Sequence, residues 1–163
     1  MGTNKVYIDD SKWERIKRSL KAAERAFVRV GFFGEAADGK VDDSDFTMLE
    51  LAAVHEFGSE DGTIPERSFI RASLQQAYDD GEMQKVCASL YKRIAEGELN
   101  TDQALKILGE WAVTIIKKFV TEGPYIEPEL KPGTIAAKGS DRPLVDTGAM
   151  INAVQYEITG AEE

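Results

Sequence analysis

The stretch from Arg142 to Thr159, RPLVDTGAMINAVQYEIT, constrains the fold most, because it joins a proline-fixed entry, a helix start and an alternating strand. Pro143 biases Arg142 to an extended conformation, and Asp146 or Thr147 can cap the free N–H groups of a short helix through Asn152. Val154, Tyr156 and Ile158 then share one face of a strand, with Gln155, Glu157 and Thr159 on the other. A strand with one apolar face must dock.

The same stretch contains Asp146-Thr147-Gly148, the triplet that carries the catalytic carboxylate of aspartic proteases. Such a site needs a second carboxylate sharing a proton, a flap and a further apolar segment ending in glycine. The chain has 163 residues, so only 15 follow Gly148, and it holds no second triplet. The helix cap is the better reading.

A chain of this length with 42% hydrophobic residues can build one domain around one core, so a single domain over residues 1 to 163 is expected. The one cysteine, Cys87, excludes an internal disulfide and sits among Val86, Leu90 and Tyr91 in a helical pattern. His55 is its only conceivable histidine partner. No run approaches the ~20 apolar residues that span a bilayer, and the first residues lack a signal-peptide core, so no membrane partner and a cytoplasmic site of assembly are expected.

A net charge of -9 argues against wrapping nucleic acid, though not against a surface past which DNA slides. The charge is unevenly spread. Residues 1 to 30 hold eight Lys/Arg against four Asp/Glu, while residues 31 to 63 hold one Lys against nine acids. A basic face of one copy could meet an acidic face of another, or both could simply be solvated.

Along the chain, Trp13, Ile16, Leu20, Ala23 and Phe27 recur at helical spacing, with Ser11 and Glu14 as a capping box. Val28, Val30 and Phe32 switch to period two, giving a strand that ends at Gly34. The acidic stretch 34 to 46 lacks the spacing of a calcium loop. Thr47 and Glu50 form a second capping box for a helix through Phe57, closed by Gly58. His55-Glu56 is half of a zinc-protease motif, but Ser59 stands where the second histidine belongs, so no metal is expected.

Pro65 suits the first turn of the next helix, which should run to about Ala95 with Gly81 as its weak point. Arg67 and Arg71, one turn apart, could clamp a carboxylate or form an ordinary surface pair. Asn100 or Thr101 caps a further helix, and Gly109 within it points to close approach of another backbone. From 121 to 143 the periodicity stops, and Pro124, Pro128 and Pro132 appear together with Gly123, Gly133 and Gly139. Tyr125, Ile126, Leu130 and Ile135 give this extended arm apolar anchors that a mere spacer would not need.

No phosphate loop, metal-ligand set or activated nucleophile is evident, so neither a catalytic residue nor a cofactor is expected. The fold expected is α+β, with three to four helices packed on a small, mostly antiparallel sheet and a long Pro/Gly-containing arm near the C-terminus. Its strands could leave exposed edges.

Three stretches in order, AAVHEFG (Ala52 to Gly58), IPERSFIRASL (Ile64 to Leu74) and TIAAKGSDRPLVDTGAMINAVQYEI (Thr134 to Ile158), resemble the small neck and tail-completion proteins of tailed bacteriophages. The likeness covers roughly residues 47 to 159, and Ser68 stands where that group usually has proline before Phe69. It implies a structural virion protein, assembled in the host cytoplasm. Such a protein forms a homo-oligomeric ring between a head-completion or adaptor protein and the tail tube or its terminator, and DNA passes through without specific binding. On that reading Tyr125, Ile126, Leu130, Ile135 and Arg71 meet a neighbour, while Phe69 with Leu144 holds the base of the arm. A chain lacking 125 to 139 is then expected to fold and fail to join heads to tails. A tail terminator capping the tube, and a small hydrolase using Asp146 or Cys87, are the other readings.

Overall fold

Twenty-one residues of unbroken helical rhythm, Thr101 to Thr121, form the axis of the molecule, roughly 30 Å long. The computed structural model describes residues 10–41, 46–124, 126–138, 143–144 and 148–160. Among these, eight helices accompany a two-stranded antiparallel sheet. In chain order they are α1 (Ser11–Ala23), β1 (Phe27–Gly31), α2 (Glu35–Asp38), α3 (Met48–Phe57), α4 (Ile70–Asp79) and α5 (Glu82–Ala95). The axial α6 (Thr101–Thr121), α7 (Pro132–Lys138), α8 (Ala149–Asn152) and β2 (Gln155–Thr159) follow.

The mixed helix and sheet class agrees with expectation, and the expected three to four helices are too few. Of the eight, α2 and α8 have four residues each and α7 has seven, too short for a 3.6-residue period to show. The span 121 to 143, expected to be an extended arm, contains α7, with Pro132 at its first position, where a missing N–H costs nothing.

β1 and β2 pair in the register Val28↔Ile158 and Val30↔Tyr156, which puts the apolar alternation of both strands on one face. That face lies on α6. Arg29 and Glu157 pair on the other face at 2.6 Å, half exposed and therefore worth little. β1 stops at Gly31, short of the expected Gly34, and Phe32 turns directly into the core.

Gly109 lies on α6 where Tyr156 of β2 crosses it. A Cβ there would stand 2.7 Å from Tyr156 Cε2 and nearer still to other ring atoms. Close approach was expected of a backbone, and the group that approaches is an aromatic ring.

The principal core gathers Phe32, Phe69, Ile116, Val120, Ile126 and Leu144, with Phe32 and Phe69 edge to face at 6.4 Å. A smaller cluster of Leu90, Ile94 and Ala104, joined by Leu20 and Val86, fixes α1 and α5 to the first half of α6. The Thr101 hydroxyl donates to the Ser19 carbonyl in the same place.

Helix ends follow local chemistry in part. The Thr47/Glu50 box closes α3, and Asn100 forms a reciprocal box with Gln103 at α6. Gly81, at φ 72, breaks the long helix expected after Pro65 into α4 and α5. Two expectations fail. α1 starts with Asp10 at its N-cap position and no side-chain cap bond there, so the Ser11/Glu14 box does not form, and Glu14 pairs with Lys17 at 2.6 Å. Pro65 lies outside any helix, and α4 begins only at Ile70.

Candidate functional site

Met48, Ala52 and Glu56 share the buried stripe of α3, so a carboxylate sits where an apolar residue would normally go. Glu56 is 4% exposed. A charge there must be met by donors.

The chain supplies them by reversing direction just after α3. Gly58 takes φ 81 and ψ 167, and a Cβ on it would lie 3.1 Å from Glu66 N and 3.2 Å from Ile64 O. Only glycine suits that position. The turn beyond is tied by Asp61, which accepts from Ser59 Oγ at 2.6 Å, Thr63 Oγ1 at 2.7 Å and Thr63 N at 3.0 Å. Those donors hold the Asp61 carboxyl down at about 2.

The returning segment lays the start of α4 on Glu56. Oε2 accepts from Phe69 N at 2.8 Å and Ile70 N at 3.0 Å, while Oε1 accepts from Ser68 Oγ at 2.8 Å, Arg71 N at 3.1 Å and Arg71 Nε at 2.9 Å. Glu56 is thus the N-terminal cap of a helix that begins 14 residues later. Burial pushes its carboxyl up, but the N–H groups of Ile70, Phe69 and Arg71 and the Ser68 hydroxyl outweigh that, and its pKa falls below the ordinary value.

Arg71 closes the node from outside. Its Nη2 donates to the Glu56 carbonyl at 2.9 Å and to Glu66 Oε1 at 2.8 Å, and the guanidinium lies 4.8 Å from the centre of the Phe57 ring. Its pKa is raised by the hydrogen bond to Glu56, with Glu66 adding to it.

Arg67 and Arg71 do not clamp one carboxylate. Arg67 is buried, donates its backbone N–H to the His55 carbonyl at 2.7 Å, and donates from its guanidinium to the Pro128 carbonyl. That bond ties the supposed arm to the body. Beside it opens a cleft of about 670 Å³ lined by Leu51, Ile64, Arg67, Leu130, Leu144 and Met150.

The expected contact residues therefore divide. Phe69 is fully buried, and Ile126 and Leu144 join it in the principal core. Leu130 and Ile135 are half buried, Arg71 is exposed, and Tyr125 lies outside the described residues. Asp146 and Thr147, named as a cap and Asp146 as a remote catalytic candidate, also lie outside them. Cys87 lines a separate groove between α5 and α6, whereas His55 lines the cleft beside Arg67, so the two do not share a cavity.

Two roles were missed by sequence reasoning, the cap made by Glu56 and the hold of Arg67 on Pro128. The first left a trace, because a Glu four residues after Ala52 falls on the inner stripe. The second left none. Among the described residues no group of three or more His, Cys, Asp or Glu could hold a metal, and no helix is long and apolar enough to cross a membrane. No family model matches the chain, and neither a curated protein nor a solved structure does.

Proposed function

We propose that this chain is a structural protein of a tailed-phage particle, acting as the neck ring that joins the head-completion complex to the tail tube. What supports the reading is that the motif stretches it rests on converge on one node. AAVHEFG supplies Glu56 and the Gly58 reversal, and IPERSFIRASL supplies the Arg67 hold, the capped N–H groups and Phe69. The third stretch supplies Leu144, packed into the same core. Glu56, Arg67 and Arg71 are spent on holding chain to chain, which suits a component that works by shape.

The test is a phage whose copy of this chain is removed. Full heads and finished tails should accumulate unjoined, and adding the purified chain should join them. Normal particle yield without the chain overturns the proposal, and tails of uncontrolled length would assign it to a terminator instead. Deleting 125 to 139 is a weaker test, because it takes Ile126 out of the core and confuses lost joining with lost folding.

A further inference from the structure

α3, MLELAAVHEF, carries apolar residues round most of its circumference, yet two of its largest, Leu49 and Phe57, are left exposed. Met48 and Ala52 face the core, while Leu49 and Phe57 stand 47% and 65% exposed on the next stripe round the helix, about 100° away, with Ala53 between them at helical spacing. Ile64 adds to the exposed patch from across the Gly58 turn. A helix apolar all round is normally buried all round. The charged residues at its Phe57 end are Glu60, Asp61 and Glu66 against one Arg71, whose guanidinium lies over the Phe57 ring and pairs with Glu66, so this flank is net acidic.

At the other half of α6 lies the counterpart. A groove of about 360 Å³ runs between α1, β1, α5 and α6, lined by Phe27, Met83, Cys87, Tyr91, Leu108 and Trp111. Phe27 and Tyr91 are more than half exposed at its mouth. Its volume is near the low end of the ~300–1,000 Å³ of ligand sites, which suits one or two large side chains and not a whole helix. Ala23 at the end of α1 and Ala26 just beyond it form one wall, and the exposed residues flanking them are Lys21 and Arg25 with Glu24 between, at the end of a helix that is basic overall.

We infer that the outer stripe of α3 docks, through Phe57, into this groove on a second copy of the chain, its acidic flank against the basic flank of α1. The two surfaces sit toward opposite ends of the α6 axis, since the core around α3 packs on the second half of α6 and the cluster around α1 and α5 on the first. A contact between unlike surfaces is head to tail, and head-to-tail contacts give rings where the rotation between copies closes and filaments where it does not. The inference rests on the ring reading above and names the surfaces that would make it.

Cys87, the chain's one cysteine, lies in the groove and reports on the contact. Phe57→Cys is oxidised with diamide, which takes two protons and two electrons from each pair of thiols. The oxidation is run on the purified chain at rising concentration and on assembled particles. A ladder of linked chains is expected, abolished by adding Cys87→Ala. Ala53→Cys, one turn away, keeps the Phe57 ring that seats in the groove and is oxidised beside it. Lys21→Glu with Arg25→Glu should cut the linked fraction about tenfold, and Glu60→Lys on the other copy should restore it. Linking that survives Cys87→Ala would mean like surfaces meet, and overturns the inference. No linking from Ala53→Cys, which retains the Phe57 ring, although several copies enter each particle, overturns the inference and leaves the neck reading standing. A ladder from a chain that particles do not contain supports the contact and defeats the neck reading.

Discussion

Arg67 donates to the Pro128 carbonyl from Nε at 3.1 Å and from Nη2 at 2.9 Å, so one buried guanidinium holds together stretches 61 residues apart. The planar fork matters, because two parallel donors fix the orientation of the carbonyl as well as its distance. Arg67→Met should therefore loosen the 126 to 131 stretch before it unfolds the protein. Amide exchange at Glu129 to Lys131 should rise, at a cost of about 2 kcal/mol, and Arg67→Lys should recover less than half of it. Unchanged exchange in Arg67→Met would show that the buried Ile126, and not the guanidinium, holds that stretch.

Glu56 predicts how stability depends on pH. Its folded pKa lies below its unfolded value, so the unfolded chain binds a proton first as pH falls. The contribution of the carboxylate is complete above about pH 4.3, the ordinary glutamate value, and is lost as pH drops through the lower folded value. Glu56→Gln presents an N–H₂ to a cluster of donors. It should cost about 3 kcal/mol at neutral pH and flatten the stability curve just below pH 4.3. Asp61, held at about 2, adds a second loss as pH falls toward that value, which Asp61→Asn removes on its own. Urea melts from pH 2 to 7 would separate the two, and an unaltered slope in Glu56→Gln would refute the assignment.

At the crossing of α6 and β2, glycine substitution runs against propensity. Alanine would ordinarily gain up to about 1 kcal/mol in a helix interior, but a Cβ at Gly109 meets the Tyr156 ring. Gly109→Ala should instead lose about 1–3 kcal/mol through overpacking, and adding Tyr156→Val should return most of it. Strict additivity in that double-mutant cycle would mean the ring moves aside without cost.

These contacts show which parts of the fold sequence can reveal. Thr47/Glu50 and Asn100 cap through residues three positions away, and Gly81 breaks a helix by its own conformation, so a local pattern contains the answer. The alternation through Val154, Tyr156 and Ile158 likewise carries its register. Glu56 is different, because its donors come from residues 12 to 15 positions on, delivered only after Gly58 reverses the chain. Read locally, His55-Glu56 suggests half a metal site, and the Ser11/Glu14 pair suggests a cap that the structure does not use. The described part of 121 to 143 does not show the extended arm, because proline and glycine there conceal a seven-residue helix and Ile126 finds its burial against residues distant in sequence. Phe69 and Leu144 share one core across 75 positions, a relationship that residue type at either site does not announce.

Leu144 carries the last prediction. It follows a buried Pro143 and adopts φ 63, in the left-handed region that a bulky residue rarely occupies, while remaining 8% exposed in the principal core. Strain of ~1–3 kcal/mol persists at such a position only where packing outweighs it. Leu144→Ala keeps the strain and opens a cavity, and should cost about 2–5 kcal/mol. Leu144→Gly opens a slightly larger cavity but relieves the backbone. At an ordinary position glycine would be the worse of the two by about 0.5–1 kcal/mol. Here it should be at least as stable as alanine, and denaturant midpoints of the two variants compare them directly. If glycine is clearly the less stable, the left-handed backbone at Leu144 is not a feature of the folded protein in solution.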